Sequence, residues 1–576
     1  MIRRFTLLAA LAVCLLSCGP GSKQTTTTSD SKKIFRLNLT GGLTSLDPAF
    51  ADQRTNIWAT TQLYNGLFSF SEDLHVHPEL AENYDISEDG LTYTFKIKEN
   101  VYFHDDQAFK NGRGRELHAD DFVYTFKRLM DPRTAAKGSW IFADKVKRGP
   151  DGKLADNWIE KVEDYKFKIT LNRRFPAFLQ ILAMPFTYVI PKEAVEKYGK
   201  DFRKHPIGTG PFMLKTWNEK ERLILVKNPK YWKRDLKHVA LPYLDAVEVS
   251  FIEDKNQAYL SFEKGSLDFL TSISETSRNK ILNKDGSIKD EFSGKFVVEK
   301  KPYMITEYVG FLLEGTDEKA NPLLNKKVRQ ALSYAINRKN LISFIRNGLG
   351  TPGNHGFVPD AISSFDSTQI DGYKIDIKKA QELLKEAGYP QGKGFPEITL
   401  NTYTTDKEVG EFLQKQWDEN LGIKIKVVTN QFATHKDMVD NAKVTFFRGS
   451  WIGDYPDAEN FLAMFYSKNF SPAGPNKTHF KDETYDKLFE EAHETDNTFT
   501  RYADYHKMDQ IIMDNSPVIV LYYDEVLNLK QKNITGLKTN TMNTLVLEKV
   551  DIKSGNASKD AGDTAKKEEK KTAKAE

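Results

Sequence analysis

Cysteine is nearly absent from this sequence: among 576 residues there are two, Cys14 and Cys18. Both lie within the first eighteen positions, so the rest of the chain can hold neither a disulfide nor a cysteine-ligated metal site. Its stability must therefore come from the burial of apolar side chains, and the chain is long enough to form several hydrophobic cores.

Long apolar runs are equally scarce. The one that stands out covers residues 5–16, follows Arg3 and Arg4, and is too short to cross a bilayer as a helix. This pattern is typical of a secretory signal, which we place at residues 1–17. Residues 15–19 resemble the bacterial lipobox, which implies lipid attachment at Cys18; an ordinary signal peptide with an incidental cysteine is the alternative. We expect an exported protein, held at the cell membrane by its lipid and facing the periplasm or the cell exterior.

Apolar side chains are also rare at the two flanks of the remaining chain. Residues 18–32 are rich in Gly, Ser and Thr, and residues 556–576 are a mixture of Lys, Ala, Glu and Asp. Neither segment can form a core. The composition predicts a flexible tether for the first and a disordered charged tail for the second.

An excess of either charge is missing as well. The chain has 83 Lys and Arg against 80 Asp and Glu, a formal net charge of +3, and the two signs are interspersed. No basic stripe follows from this pattern, so nucleic acid is not an expected partner.

The sequence motifs of common hydrolases are not found. There is no G-x-S-x-G, no H-E-x-x-H and no complete S-x-x-K set. The pair His75 and His77 fits a surface loop better than a metal site, and the adjacent aspartates 105–106 and 120–121 fit turns and helix caps. We predict no catalytic residue, no metal site and no cofactor, although an exported hydrolase stays a distant alternative.

The folded part shows α/β patterns. Residues 398–403 have a strand pattern, 406–420 a helical pattern and 423–429 another strand pattern, which predicts a βαβ unit in a parallel sheet. Residues 443–448 predict one more strand, ending in residues 449–451. Asp120 is predicted to cap a helix that ends at Asp131.

Several motifs, taken in order, resemble the bacterial extracellular solute-binding protein family 5, which includes oligopeptide- and dipeptide-binding proteins of ABC importers. They are spread over about 500 residues, and the series is far more specific than any one of them. The motifs lie at residues 46–48, 63–67, 80–82, 94–97, 101–105, 119–122, 206–212, 228–232, 328–332, 380–389, 451–457 and 516–519.

The resemblance implies an α/β, periplasmic-binding-protein-like fold of type II, with two lobes that close on a ligand and an extra inserted α+β domain. It places a discontinuous lobe I at 33–64, 205–303 and 518–555. The inserted domain II would cover 65–204, and lobe III would cover 304–517. Two crossings between the lobes would form the hinge.

The resemblance also implies a set of ligand-binding residues. In peptide-binding members, the aspartate that matches Asp454 holds the α-ammonium of the ligand, which suits a charge-assisted hydrogen bond. Trp451 would supply an apolar wall with cation–π attraction, and Ser450 and Ile452 would offer main-chain groups to an extended peptide. Arg448 would meet a ligand carboxylate with its bidentate fork.

Asp52 and Gln53 would face this set from the opposite lobe. Structural roles stay open for several members: a loop cap for Asp454, core packing for Trp451, an ion pair for Arg448 and a solvated loop for Asp52.

The predicted function is therefore capture of short peptides and their delivery to ABC permease and ATPase subunits, by a protein expected to be a monomer. The same fold also serves nickel or metal chelates, haem and oligosaccharides, so a non-peptide ligand is the main alternative. A surface lipoprotein that acts as an adhesin or receptor is a further one.

Overall fold

The computed structural model describes residues 32–362 and 365–553. The predicted signal 1–17, the lipidation site Cys18, nearly all of the tether and the tail 556–576 lie outside the described residues. None of the described helices is both long enough and apolar enough to cross a membrane.

The described residues form both β-strands and α-helices. The strands are β1 Ile34–Asn38, β2 Phe68–Phe70, β3 Val76–Pro78, β4 Ala81–Ile86, β5 Thr92–Ile97, β6 Ile159–Glu163, β7 Lys166–Thr170, β8 Phe212–Asn218, β9 Arg222–Lys227, β10 Ala246–Ser250, β11 Phe269–Leu270, β12 Val297–Phe311, β13 Thr351–Pro352, β14 Ile398–Tyr403, β15 Ile425–Asn430, β16 Phe446–Ile452, β17 Val518–Lys530, β18 Ile534–Thr535 and β19 Asp551–Ile552. The α-helices are α1 Arg54–Leu63, α2 Ala119–Met130, α3 Trp140–Ala143, α4 Phe178–Ile181, α5 Lys192–Tyr198, α6 Lys255–Glu263, α7 Glu275–Ile281, α8 Lys326–Tyr334, α9 Arg338–Ile345, α10 Ile377–Glu386, α11 Lys407–Leu421, α12 Phe432–Asp440, α13 Glu459–Leu462, α14 Glu483–Glu494 and α15 Thr498–Asn515.

The largest sheet has eleven strands in the order β15-β14-β16-β12-β17-β11-β1-β10-β9-β8, with β13 also paired to β17. The long antiparallel strands β12 and β17 lie at its centre. Near Phe311, β12 pairs with β16, and near Lys530, β17 pairs with β11. The register of the central pair shifts between Pro302 and Thr306, where proline offers no N–H to the ladder. These two strands therefore join one half of the sheet to the other.

The βαβ unit predicted from the sequence is confirmed. Strand β14 and β15 pair in parallel, and α11 connects them. The next predicted strand is present as β16, which begins at Phe446 and continues through Ile452, because residues 449–452 pair in antiparallel register with β12.

A second, four-stranded antiparallel sheet has the order β4-β5-β7-β6. Helix α2 covers it, and Phe122 stacks on Phe167 with ring centroids 5.3 Å apart. The predicted cap of this helix was wrong by two residues. His118 is the N-cap, and the Asp121 side chain accepts the hydrogen bond from the His118 N–H over 2.9 Å.

Close backbone contact joins residues 208–210 to the end of α1. A Cβ on Gly208 would come within 2.2 Å of the Leu63 carbonyl oxygen, and one on Gly210 within 2.3 Å of the Leu63 carbonyl carbon. The Gly210 N–H also donates to the Leu63 oxygen over 3.0 Å. The glycines of this motif are thus required for packing.

Candidate functional site

A large cavity of about 870 Å³ contains most of the predicted site residues. Trp140 and Phe175 line it from residues 65–204, and Tyr308 and Tyr403 line it from the main sheet and its edge. Residues 448–452, Asp454 and Tyr455 line it from β16 and the loop that follows. Distant parts of the chain thus meet around one loop.

The outer edge of β16 presents main-chain groups to this cavity. Residues 446–452 pair with β12 along one edge, while on the other edge β14 pairs only through Asn401 and Phe447. The Gly453 N–H donates to the Met304 carbonyl oxygen. Hydrogen-bonded and non-hydrogen-bonded pairs alternate along an antiparallel ladder, so the N–H and C=O groups of Ser450 and Ile452 point away from β12. Ile452 is 52% exposed. An extended chain could add to this edge as a strand.

Asn460 fixes the loop that carries Asp454. Its amide oxygen accepts the Trp451 indole N–H over 3.0 Å and the Asp454 backbone N–H over 3.1 Å. Asn460 is buried at the start of α13. The aromatic wall and the acid are therefore held in one position relative to each other.

Asp454 is the chemically distinctive group of the site. Its side chain is exposed to the cavity. Desolvation by the protein atoms around the cleft raises the pKa of the Asp454 carboxyl to about 6, and a hydrogen bond from Asn460 acts in the opposite direction. Across the described part of the chain, no Lys, Arg or His side chain forms an ion pair with it. A ligand ammonium would supply the missing charge.

Arg448 lines the same cavity but is already paired. Its side chain is 1% exposed and forms ion pairs with Glu307 and, at 3.4 Å, with Asp406. It also donates to the Tyr308 carbonyl over 2.8 Å. Burial alone would lower the Arg448 pKa, but the two carboxylates outweigh this effect and raise it. The arginine is thus neutralised within the protein.

A small cavity of about 440 Å³ adjoins the large one, and Trp140, Ile452 and Asp454 line both. Asp52 lies on its other side, so the structure brings Asp52 and Asp454 to one cavity. Gln53 lies elsewhere: it is the N-cap of α1 and, together with Asp52, lines a separate surface cavity of about 670 Å³.

Two site residues carry roles that the motifs did not suggest. Glu307 could have been noticed as a single acid within an apolar strand, since residues 304–311 otherwise contain no charge. The role of Asn460 could not be predicted from the sequence, because an asparagine six residues after Asp454 belongs to no recognisable motif. Within the described residues, no cluster of three or more His, Cys, Asp or Glu side chains could hold a metal ion.

The arrangement is suited to binding rather than to covalent chemistry. It combines a carboxylate that has no ion-pair partner within residues 32–362 and 365–553, an indole, an exposed strand edge and a cavity large enough for a small peptide. The nearby acids have structural partners: Asp457 lies 3.6 Å from Arg501, and Glu459 lies 3.5 Å from His493.

Comparison with known proteins agrees with this geometry. The family model for bacterial extracellular solute-binding proteins, family 5, matches residues 75–472. The glutathione-binding protein GsiB of Salmonella typhi is 30% identical over 499 residues, which cover 86% of this chain and 89% of that protein.

Solved structures confirm the fold. HbpA2 from Haemophilus parasuis superposes with a TM-score of 0.76 at 26% identity, over 90% of this chain and 100% of that one. The ABC transporter-associated protein DppA from Helicobacter pylori, in complex with the peptide STSA, gives 0.71 at 26% identity, over 90% and 98%. The two-lobe, type II α/β fold expected from the motifs is therefore confirmed. This chain belongs to the bacterial extracellular solute-binding proteins of family 5, and it is an exported, non-enzymatic binding component of an ABC importer.

Proposed function

We propose that this protein captures short peptides with a free N-terminal ammonium group and delivers them to its importer. The observation that carries the proposal is the Asp454 carboxylate, which lacks an ion-pair partner in the described part of the chain and lies beside Trp451 and the exposed edge of β16. A peptide ammonium would pair with Asp454, and the following residues would lie along Ser450 and Ile452.

Main-chain contacts along this edge are independent of the ligand's side chains. The cavity volume of about 870 Å³ leaves room for side chains of different size. Tolerance for many short peptides follows from these two features.

Arg448 would act on the ligand indirectly, because Glu307 and Asp406 already balance its charge. Its main role would be to hold β16 in position, and its contact with a ligand carboxylate would be weaker.

The domain boundaries form part of the proposal. Lobe I would comprise 33–64, 205–303 and 518–555, with domain II at 65–204 and lobe III at 304–517. Strands β12 and β17 would be the two hinge crossings, since they pair with each other while β12 also pairs with β16 and β17 also pairs with β11. Asp52 and Gln53 would then approach the ligand from the side opposite Asp454 when the lobes close.

Attachment of the protein to the membrane is proposed from the sequence alone. Cys18 would carry the lipid, and residues 19–32 would let the binding lobes reach the permease. Labelling with a radioactive fatty acid, compared between the natural chain and Cys18→Ala, tests this point.

Mass spectrometry of small molecules released from the denatured protein tests the ligand class. Peptides of several lengths are expected from the natural chain and should be lost from Asp454→Asn. Glu397→Gln is a matched control, because Glu397 is exposed, lies in the same proposed lobe and lines neither cavity. Its peptides should be retained.

Other outcomes would contradict the proposal. A single non-peptide compound or a stoichiometric metal chelate would replace the peptide as ligand while leaving the transport role in place. Equal peptide content in the natural chain and Asp454→Asn would remove Asp454 as the ammonium site.

A further inference from the structure

Three arginines line a separate cavity of about 160 Å³, which we call the arginine cavity. Arg54 comes from α1, Arg278 from α7, and Arg346 follows α9. Asp524 and Glu525 of β17 also line it. Its lining thus carries three guanidinium groups and two carboxylates.

The two carboxylates are already engaged. Asp524 forms an ion pair with Arg346. One Glu525 oxygen accepts the Gly350 N–H over 2.8 Å. Among the described residues, neither acid forms an ion pair with Arg54 or Arg278.

Arg278 is the most unusual of the three. It is partly buried, and its Nε atom is buried without a hydrogen-bond acceptor. Burial lowers the Arg278 pKa, and the positive charge of Arg346 lowers it further. Glu275 is exposed on the same helix and attracts Arg278 without forming an ion pair. A guanidinium with an orphaned donor in such a place is unfavourable unless an anion joins it.

Arg54 supplies a second available guanidinium. It donates to the Ser272 hydroxyl over 2.5 Å, and within the described residues it has no ion-pair partner. Arg54, Tyr303 and Asn543 line both the arginine cavity and the small cavity that contains Asp454. The arginine cavity is therefore a side chamber of the ligand cleft.

We propose that the arginine cavity binds a small oxyanion, either a carboxylate or inorganic phosphate, through Arg278 and Arg54. The planar donors of arginine match the oxygens of both groups. The volume suits a single carboxylate or phosphate and excludes a nucleotide. The anion would reach this chamber from the cleft side, past Arg54.

Inorganic phosphate is the first probe, applied to the full mature chain at constant ionic strength maintained with potassium chloride. Phosphate should raise the melting temperature of the natural protein, and calorimetry should detect saturable binding. Arg278→Gln and Arg54→Gln should each weaken binding by about tenfold or more, as expected for loss of a charge-assisted contact. Arg54 is exposed, so its variant is expected to fold even if Arg278→Gln is unstable.

Lys280→Gln is the matched control. Lys280 lies on the same helix as Arg278 and pairs with Glu263 at 2.9 Å, outside the arginine cavity. The Lys280→Gln substitution removes one positive charge from the region and should leave phosphate binding unchanged.

A second arm distinguishes a ligand carboxylate from the free anion. Peptides with a free C-terminus are compared with their C-terminal amides. If phosphate has no effect but amidation weakens binding to the natural chain and not to Arg278→Gln, the site holds the peptide carboxylate. If phosphate does not bind and amidation has the same effect in both proteins, or no effect in either, the proposal is overturned. The phosphate arm does not depend on peptide binding, so failure of the proposed function would be recognised separately.

Discussion

The Trp451 indole N–H donates to the Asn460 amide oxygen over 3.0 Å, and the same oxygen accepts the Asp454 backbone N–H. One buried side chain thus orients both the aromatic wall and the acid of the site. Because a binding group must be held in place before the ligand arrives, this relationship is a direct target for mutation.

Asn460→Ala should weaken peptide binding by about tenfold and lower the free energy of unfolding by about 1–2 kcal/mol, since it leaves two donors without their acceptor. Calorimetric titration and urea unfolding measure the two effects. Asn441→Ala is a control, because Asn441 is exposed and its side-chain amide donates to the neighbouring Asp437. Unchanged affinity in Asn460→Ala would show that the loop does not need this bond.

Peptide affinity should fall as the pH decreases through about 6, the pKa of ligand-free Asp454. Only the carboxylate pairs with an ammonium group, so affinity should decrease by about tenfold for each further pH unit. Titrations between pH 8 and pH 4.5 test this. Asp454→Asn should bind weakly at every pH, and persistence of the same pH dependence in that variant would assign it to another group.

The same acid should destabilise the ligand-free protein near neutral pH. Its folded-state pKa of about 6 lies above its ordinary value of 3.8, so the folded state takes up a proton more readily than the unfolded state. The penalty is fully present above about pH 6 and disappears as the pH falls below 3.8. Asp454→Asn should therefore raise the melting temperature of the ligand-free protein at pH 7.5, and Glu397→Gln should not.

Glu307→Gln should lower the free energy of unfolding by about 3 kcal/mol, because it leaves the buried Arg448 with Asp406 as its remaining acid. The double variant Glu307→Gln with Arg448→Met should recover much of this loss, since no unpaired charge is then buried. Denaturant unfolding of the two single variants and the double variant provides the comparison. Additive losses would show that the two residues are not coupled.

Gly210→Ala should destabilise the protein by about 2 kcal/mol or more, because its Cβ would overlap the Leu63 carbonyl carbon and the Tyr64 nitrogen. These are backbone atoms and cannot rotate away. Gly149→Ala is the control, since its Cβ would approach the flexible Asp151 side chain at 3.2 Å. Thermal unfolding of both variants measures the difference.

Local sequence patterns predicted individual elements well where periodicity was strong. Strand β14 has the predicted bounds, and α11 differs by one residue at each end. The differences occurred at the ends of elements. Strand β16 extends to Ile452 because β12, more than 130 residues earlier in the chain, continues to pair with it. The α2 cap depends on a side chain that folds back onto His118.

In the candidate site, too, the sequence predicted local features and the tertiary contacts had to be seen in the structure. The motif at residues 451–457 placed Asp454 close to Trp451, since neighbours in sequence are necessarily close in space. It did not reveal that Glu307 and Asp406 neutralise Arg448, or that Asp52 lines the small cavity with Asp454 whereas Gln53 does not. These contacts depend on which strands and loops lie next to each other in the folded protein.

The sequence by itself determined the family, the α/β character and the acid at position 454, because motif order and periodicity are properties of the chain. The tertiary structure alone decided which charges are paired and which are free. Arg448 is neutralised, whereas Asp454 and Arg278 lack ion-pair partners among the described residues. The physical reason is that the strength of a charge in a protein depends on the groups within a few ångströms and on the water excluded by them, and folding brings these together from remote parts of the chain.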